Sequence, residues 1–199
     1  MRHYEWTVES FERSFELPGK IESAGVSIHR EFSPGDLGQL VYIHGVQNSL
    51  DYGFNHVHEA YCAKIAVEFI LDRAKRRSRA WLAKKENKIV GSIFIVERPD
   101  NQAQLRLLFV DQAVRSIGLG RWLVEDSIRY CRASGFDLVY LWTVDGLDRA
   151  ISIYESVGFT RVAQKIVEDW GRRSVEVRFD LDLAGRCHGC CQAAGKAAT

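Results

Sequence analysis

The sequence lacks the usual features of a secreted or membrane-spanning chain. Its first ten residues, MRHYEWTVES, contain no apolar core of signal-peptide length. No apolar run approaches the roughly 20 residues that a transmembrane helix needs. The net charge is only +1, so charge alone makes no case for binding nucleic acid or an anionic membrane. We therefore expect a cytoplasmic protein that contacts neither.

The cysteines do not indicate a disulfide framework or a clear metal site. Their number, five, is odd, and no secretion signal accompanies them. Residues 187–191 (Cys-His-Gly-Cys-Cys) offer four side chains that can bind zinc. A closed zinc site usually draws its ligands from two separated clusters, and no second cluster is evident. We favour a flexible tail over a zinc-dependent interaction segment, and we expect no metal.

The chain is long enough for one globular domain with short extensions. It has 199 residues, of which 46% are hydrophobic and 27% charged. We divide it into a lead-in (1–25), a domain (26–183) and a tail (184–199). Hydrophobic periodicity predicts the order β-α-α-β-β-β-α-β-α-β-β. The predicted strands cover 26–30, 80–84, 89–96, 104–110, 138–144, 159–167 and 174–183. One predicted helix begins at Ser33. The other predicted helices cover 55–74, 121–133 and 147–157, and a loop is predicted at 51–53.

A glycine-containing loop is the main functional signal. A strand-like run ends at Val110, and Arg115-Ser116-Ile117-Gly118-Leu119-Gly120 then precedes an amphipathic helix. Glycines permit close backbone approach, and the N–H groups at a helix start bind anions such as phosphate. Position 123 is Leu and no Gly-Lys-Ser/Thr follows, so neither the dinucleotide fingerprint nor a Walker A loop is present. On these residues alone, a ligand-free turn is the alternative.

Three motifs in order resemble the GNAT family of acetyl-CoA-dependent N-acetyltransferases, over about residues 26–183. Residues 115–120 match its Arg/Gln-x-x-Gly-x-Gly/Ala loop, Leu141-Trp142-Thr143 ends a strand, and 153–159 match its Tyr-x-x-x-Gly-Phe ending. Residues 35–38 and 51–53 further resemble the acetyltransferase half of bacterial MarR–GNAT fusion proteins. The resemblance implies a mixed α/β (GNAT-like) fold. Its one central, mostly antiparallel sheet of six or seven strands would be splayed at the cofactor site and flanked by about four helices.

The resemblance also implies an acetyl-CoA site without metal. Backbone groups of Phe109 and Val110 would hold the pantetheine arm, and an N–H near Val110 would serve the oxyanion. Main-chain N–H groups of the loop would hold the pyrophosphate. The residues expected to contact acetyl-CoA are Phe109, Val110, Arg115, Ser116, Ile117, Gly118, Leu119 and Gly120.

The implied activity is transfer of an acetyl group to a primary amine of a small molecule or peptide by direct attack. Tyr154 matches the tyrosine that often protonates the departing thiolate, and a merely packed aromatic residue is the alternative. A homodimer is compatible with the resemblance. The acceptor would be shaped by the first two helices, whose candidate polar residues are His44, His56, His58 and Tyr52; a structural role is the alternative for each.

Two departures from the family pattern leave parts of the site open. Some members place a basic residue where this chain has Gln102-Ala103-Gln104, and glutamine cannot take a proton. The general base is therefore unassigned. Glu97, Asp111 and Asp145 are the candidates, and for each of them the simpler interpretation is a solvated loop carboxylate. Leu147 stands where many members have asparagine. These departures motivate the alternative of a non-catalytic acyl-CoA-binding module.

Overall fold

The computed structural model describes residues 16–72, 76–168 and 170–185, which form one mixed sheet with helices on both faces. The strands are β1 Ser27–His29, β2 Arg79–Lys85, β3 Lys88–Arg98, β4 Gln102–Val110, β5 Leu138–Val144, β6 Thr160–Val167 and β7 Ser174–Asp182. The helices are α1 Gly19–Ser23, α2 Asp36–Tyr52, α3 His56–Leu71, α4 Leu119–Ala133 and α5 Asp148–Val157, with a 3-10 turn at Gln112–Val114.

The strands are ordered β1-β2-β3-β4-β5-β7-β6. All neighbours are antiparallel except β4 and β5, which are parallel because the chain crosses over through α4 between them. The β4–β5 pairing covers only Gln102–Gln104 against Leu138–Tyr140. Beyond these residues the two strands diverge. The predicted fold class, a mostly antiparallel sheet that is splayed between two strands, is confirmed.

Each sheet face carries its own hydrophobic core. Helices α2 and α3 pack over the first strands through Leu40 and Ala66, which contact Leu82 and Phe94. Helices α1, α4 and α5 cover the other face, where the fully buried side chains include Trp81, Leu123 and Phe179. The predicted element order is confirmed, although α1 lies in a segment that we had assigned to a lead-in. None of the described helices is long and apolar enough to cross a membrane.

Several helix ends differ from prediction for local reasons. Helix α2 begins at Asp36, where the Asp36 carboxylate accepts a hydrogen bond from the Ser33 N–H at 2.7 Å, and no side chain caps the first turn. The predicted loop at 51–53 is wrong for its first two residues, because α2 continues through Tyr52 and Gly53 ends it with φ of 71°. Helix α4 begins at Leu119, two residues before the predicted start.

A buried carboxylate joins three elements on the α4 side. Asp126 accepts hydrogen bonds from Trp81 Nε1 at 2.7 Å, from Arg30 Nη2 at 3.0 Å and from Arg129 Nη2 at 2.7 Å. Its side chain is only 2% exposed, so the paired charge is largely removed from water. The polar contacts therefore tie α4 to β2 and to the segment that follows β1.

Replacing Asp126 by Asn should destabilise the fold, because the Arg30 guanidinium would lose its charged partner in a mostly buried position. We expect a loss on the order of 3 kcal/mol in the free energy of unfolding, measured by urea denaturation. Glu125→Gln on the same helix is the control, since its pair with Arg121 is exposed and should contribute at most about 0.5 kcal/mol. Equal losses in the two variants would contradict the assigned role of Asp126.

Candidate active site

The divergence of β4 and β5 opens a cleft of about 140 Å³ through the middle of the sheet. Both strands line it over Leu105–Leu108 and Leu141–Val144, and helices α2, α3 and α5 close its sides. Its polar lining side chains are His44, Asn48, His58, Tyr61, Arg106, Thr143, Tyr154 and Glu176.

A bulge in β4 shapes one wall of the cleft. The β3–β4 register shifts between Ser92 and Phe94, and Leu107 takes a φ of 49°, which is rare for a residue other than glycine. The Asp111 N–H donates to the Val90 carbonyl, so by strand alternation the N–H of Val110 faces away from β3 into the opening. This orientation leaves the Val110 N–H available to a ligand strand.

A histidine–serine chain supports that bulge. Ser92 Oγ donates to the Leu107 carbonyl at 2.7 Å and lies 3.2 Å from His44 Nε2. Because the serine hydroxyl has one proton, Nε2 of His44 must donate to it. Burial, with a smaller contribution from His58, lowers the pKa of His44 to about 3. His44 is therefore a neutral donor at neutral pH.

The glycine loop presents main-chain donors at the start of α4. No described residue accepts a hydrogen bond from the N–H groups of residues 116–121. Ser116 and Gly118 both have positive φ, 71° and 90°, which turns successive N–H groups outward. A Cβ at Gly120 would lie 3.3 Å from Val110 Cγ2 and 3.4 Å from Ile153 Cδ1, so only glycine fits this position easily. The loop has the geometry of an anion site.

Arg115 differs from its predicted role. Its N–H already donates to the Gln112 carbonyl at 3.3 Å, so it is not a free main-chain donor. Its guanidinium instead donates to Asp51 Oδ2 at 2.7 Å and to the Val110 carbonyl at 3.2 Å. Burial raises the pKa of Asp51, but hydrogen bonds, chiefly from Arg115, outweigh this effect and hold that pKa below its ordinary value. Arg115 therefore fastens the loop to the end of α2.

The other predicted contact residues lie along the same edge. The Phe109 side chain is buried against the His44 ring, with 5.2 Å between ring centroids, and by the same alternation its backbone groups face β3 rather than the opening. Leu119 is buried in the core beneath the loop, and Ile117 packs at its margin. Thus Ile117 and Leu119 can contribute main-chain N–H groups rather than side chains.

Tyr154 reaches the cleft from α5. It is 4% exposed and packs edge-to-face on Phe159, with ring centroids 5.9 Å apart. Burial, and to a lesser extent nearby Tyr52, raises the pKa of Tyr154 above its ordinary value. The phenol therefore keeps its proton at neutral pH and can donate it within the cleft.

An aromatic wall closes the far side of the cleft. The rings of Phe54, His58 and Tyr61 surround Trp170, which lies in the turn between β6 and β7, at centroid distances of 5.0–5.5 Å. The Trp170 carbonyl accepts from the Asn55 N–H at 3.2 Å, which holds the turn on the α2–α3 junction. Burial lowers the pKa of His58 to about 4, so this ring is neutral at neutral pH.

Of the four predicted acceptor residues, the structure places His44 and His58 in the lining of the cleft. Tyr52 is not among the lining residues, but it lies close enough to Tyr154 to raise the pKa of that phenol. His56 is exposed at the start of α3 and lines a separate groove between α2 and α3.

The proposed base candidates do not line the cleft. Glu97 pairs with Arg77 at 2.6 Å, Asp111 caps the 3-10 turn through the Ala113 N–H, and Asp145 lies 3.5 Å from Arg161. The carboxylate that does line it is Glu176 on β7, whose side chain is 7% exposed and lies 2.8 Å from Lys165 Nζ. The sequence offered no signal for Glu176, because it is one of several charged residues alternating along that strand.

Leu147 also lines the cleft, at the residue before α5, where no side chain caps the helix. Its apolar side chain cannot make the hydrogen bonds of the asparagine that the resemblance leads us to expect at this position. Among the described residues no group of side chains could hold a metal ion. The cysteines at 187–191 lie outside the described residues.

Residues 47–159 match the family model of the GNAT acetyltransferases. The chain belongs to the GNAT acetyltransferase family. The match covers more than half of the chain and includes the glycine loop, the diverging strands and Tyr154. The finer resemblance to MarR–GNAT fusion proteins stays a prediction.

Curated GNAT relatives align with about half of this chain. Human N-acetyltransferase 8 is 32% identical over 104 residues, which are 50% of this chain and 46% of that protein. The mycothiol acetyltransferase of Thermomonospora curvata is 27% identical over 103 residues, which are 48% of this chain and 35% of that protein. The chain thus matches less than half the length of these relatives.

Solved GNAT structures cover more of the chain. An acetyltransferase of the GNAT family from Staphylococcus aureus superposes with a TM-score of 0.65 and 19% identity, over 79% of this chain and 99% of that one. An acetyltransferase from Streptococcus agalactiae superposes with a TM-score of 0.61 and 25% identity, over 77% of this chain and 97% of that one. These structural similarities agree with the fold described above.

The neutral state of His44 in this GNAT domain predicts a pH-dependent stability. Histidine in the unfolded chain binds a proton below about pH 6.5, whereas the pKa of folded His44 is about 3. The contribution of His44 to the free energy of unfolding is therefore complete above about pH 6.5 and falls as the pH is lowered. His44→Gln, which keeps a donor for Ser92, should reduce the slope of unfolding free energy between about pH 4 and 5.5 by about 1.4 kcal/mol per pH unit. Urea denaturation at several pH values across this range measures the slope.

His58→Gln is the comparison for this experiment. Because the folded pKa of His58 is about 4, its replacement should remove less of the slope near pH 4 than the His44 replacement does. An unchanged slope in His44→Gln would show that the imidazole is protonated in the folded protein.

Proposed function

We propose that this protein is an acetyl-CoA-dependent N-acetyltransferase that acts on a primary amine by direct attack. The observation that carries the proposal is the arrangement of the cleft. Unpartnered main-chain donors at residues 116–121 lie at one end of the diverging β4 edge, and a protonated phenol, Tyr154, lies in the cleft itself. A phosphate-binding loop beside a proton donor suits a coenzyme with a diphosphate and a thiol leaving group.

The residues present fit acetyl-CoA. The N–H groups of Ser116 to Gly120 suit its pyrophosphate, and the N–H of Val110 suits the pantetheine arm or the carbonyl oxygen of the acyl group. Gly120 supports this fit, since a side chain there would narrow the space beside Val110. When bound, acetyl-CoA supplies an activated acyl group as a thioester.

Tyr154 would act as the general acid. Tyr154 lines the cleft and its phenol stays protonated at neutral pH, so it could give a proton to the sulfur as the thiol leaves. The surrounding Phe159 and Phe179 rings hold the phenol in place by packing.

Glu176 would receive the acceptor. An amine must lose its proton before it can attack a carbonyl carbon, and Glu176 is the one carboxylate among the described residues that line the cleft. Its charge would attract the ammonium form, and its oxygen could take up the released proton. Lys165 holds the carboxylate from the exposed edge strand β6.

The names of the relatives do not assign an acceptor to this chain. They include a mycothiol acetyltransferase and an N-acetylaspartate synthetase from Danio rerio, which is 31% identical over 85 residues. Because these names refer to different acceptors, we propose a small molecule or a peptide amine and take the narrower class from the cleft itself.

Tyr154→Phe tests the acid role. We expect kcat for thiol release from acetyl-CoA, measured over a panel of amines, to fall by about 100-fold or more, because the phenol proton is lost. Acetyl-CoA should still raise the melting temperature, since ligand binding stabilises the folded state. Tyr42→Phe is the matched control, because Tyr42 is 65% exposed on α2.

Two outcomes would contradict these assignments. Turnover by Tyr154→Phe at the rate of the parent would exclude the acid role. A raised melting temperature with acetyl-CoA but no thiol release with any amine would favour the alternative, an acyl-CoA-binding module without activity.

Glu176→Gln tests the acceptor end separately. We expect a loss in kcat/KM for the amine of about 100-fold near neutral pH, with acetyl-CoA binding unchanged. The deficit should shrink as the pH approaches the pKa of the free amine, because an unprotonated amine needs no base. A deficit that stays constant with pH would indicate a structural role. Glu155→Gln on the exposed face of α5 is the control.

A further inference from the structure

The proposed acceptor end of the cleft contains one arginine, Arg106, whose charge no carboxylate in the described part of the chain balances. Arg106 and Glu176 are the charged residues among the described cleft lining. Glu176 is paired with Lys165 at 2.8 Å. Arg106 forms no ion pair with any carboxylate in the described ranges; its partners are neutral, Gln104 Oε1 at 3.1 Å and Tyr61 Oη at 2.8 Å.

This contrasts with the arginines that have structural roles. Arg77, Arg115 and Arg178 are partly buried and each contacts a carboxylate within 2.7 Å. Partly buried cations are usually paired, because removal from water is costly without a counter-charge. The half-buried Arg106 therefore differs from these three arginines. Arg98 is likewise partly buried and donates to Gln104, but Arg106 lines the cleft, where an anionic ligand could reach it.

Arg106 and Glu176 face the same side of the sheet. Gln104 pairs with Tyr140, and Val144 pairs with Glu176. Because side chains alternate along strands, residues 104 and 106 share a face with 140, 142 and 144, and hence with Glu176. Arg106 on β4 and Glu176 on β7, the strand beyond β5, thus lie on either side of the opening between β4 and β5, on the side covered by α2 and α3.

We propose that the acceptor carries a carboxylate close to its amine, as free α-amino acids do, and that Arg106 binds this carboxylate while Glu176 receives the amine. This inference rests on the N-acetyltransferase function proposed above. A planar guanidinium with two or more N–H groups suits a carboxylate particularly well.

The aromatic wall agrees with such an acceptor. Tyr61 lies beneath Arg106, with the guanidinium carbon 5.3 Å from its ring centroid, and continues into the cluster of Phe54, His58 and Trp170. These rings bound the space next to the two charged groups. They offer an apolar surface for the side chain of an amino acid, while Tyr61 keeps the guanidinium in position.

The experiment compares matched acceptors. Thiol release from acetyl-CoA is measured with a series of L-amino acids, with the primary amide of each, and with the corresponding amines that lack the carboxyl group. An amide has a less basic amine, which is more often unprotonated at neutral pH, so intrinsic reactivity favours it over the acid. A preference for the acids must therefore come from the protein.

We expect the parent protein to prefer the acid over its amide by about 10- to 100-fold in kcat/KM, the usual scale of a charge-assisted hydrogen bond. Arg106→Gln should abolish this preference mainly through KM of the amino acid, with KM of acetyl-CoA unchanged. Arg106→Lys keeps the charge without the planar fork and should retain part of the preference.

Arg98→Gln is the matched control. Arg98 Nε donates to the same Gln104 Oε1 at 2.9 Å, but Arg98 does not line the cleft. This variant removes one positive charge from the neighbouring strand and should keep the acid preference of the parent.

The outcomes separate this inference from the function on which it rests. Turnover of the amides or of the carboxyl-free amines at least as good as that of the acids would overturn the inference and leave the N-acetyltransferase function standing. An acid preference that survives Arg106→Gln would also overturn it. Absence of thiol release with every amine, despite stabilisation by acetyl-CoA, would contradict the proposed function itself.

Discussion

The premature end of the pairing between β4 and β5 is the constraint on which the rest of the site depends. Two parallel strands in the middle of a sheet would normally share hydrogen bonds along their length, and here they do so only as far as Gln104 and Tyr140. Each strand then has an unpaired inner edge. Unpaired backbone groups inside a protein require other partners, and a cleft that admits a polar, extended ligand can supply them.

Several contacts keep that opening in its shape. The chain from His44 through Ser92 to the Leu107 carbonyl supports the bulge in β4, and Arg115 joins the end of the same strand to Asp51 on α2. These contacts lie on the α2–α3 side, whereas the glycine loop and α5 approach from the other side. The site is thus built between the two helical layers, and its two ends can serve different ligands.

The electrostatics of the cleft follow from burial. His44 and His58 are neutral because burial disfavours their charged forms, and Tyr154 keeps its proton for the same reason. Charge in the lining is therefore confined to Glu176, which has Lys165 as its partner, and to Arg106, whose partners within residues 16–72, 76–168 and 170–185 are neutral. A cleft with neutral walls and one unbalanced cation is suited to an acceptor that brings its own negative charge.

The order of strands and helices and the position of the glycine loop could be predicted from the sequence, because periodicity, turn residues and motif spacing are local properties of the chain. The role of Tyr154 came from the family resemblance and stays a prediction. Three features could not be predicted in this way: the role of the Arg115 N–H, the helical state of Asp51 and Tyr52, and the presence of Glu176 and Arg106 in the cleft lining. The contacts of these side chains depend on which residue from another element lies opposite: Asp51 for Arg115, Lys165 for Glu176 and Tyr61 for Arg106. By itself the sequence determined the family and the element order, and it predicted the loop that we propose as the coenzyme end of the site. Only the tertiary structure decided which side chains line the end of the cleft that we propose for the acceptor. It brings together side chains from β4, β7 and the two helices, whose spacing along the chain carries no sign of their proximity.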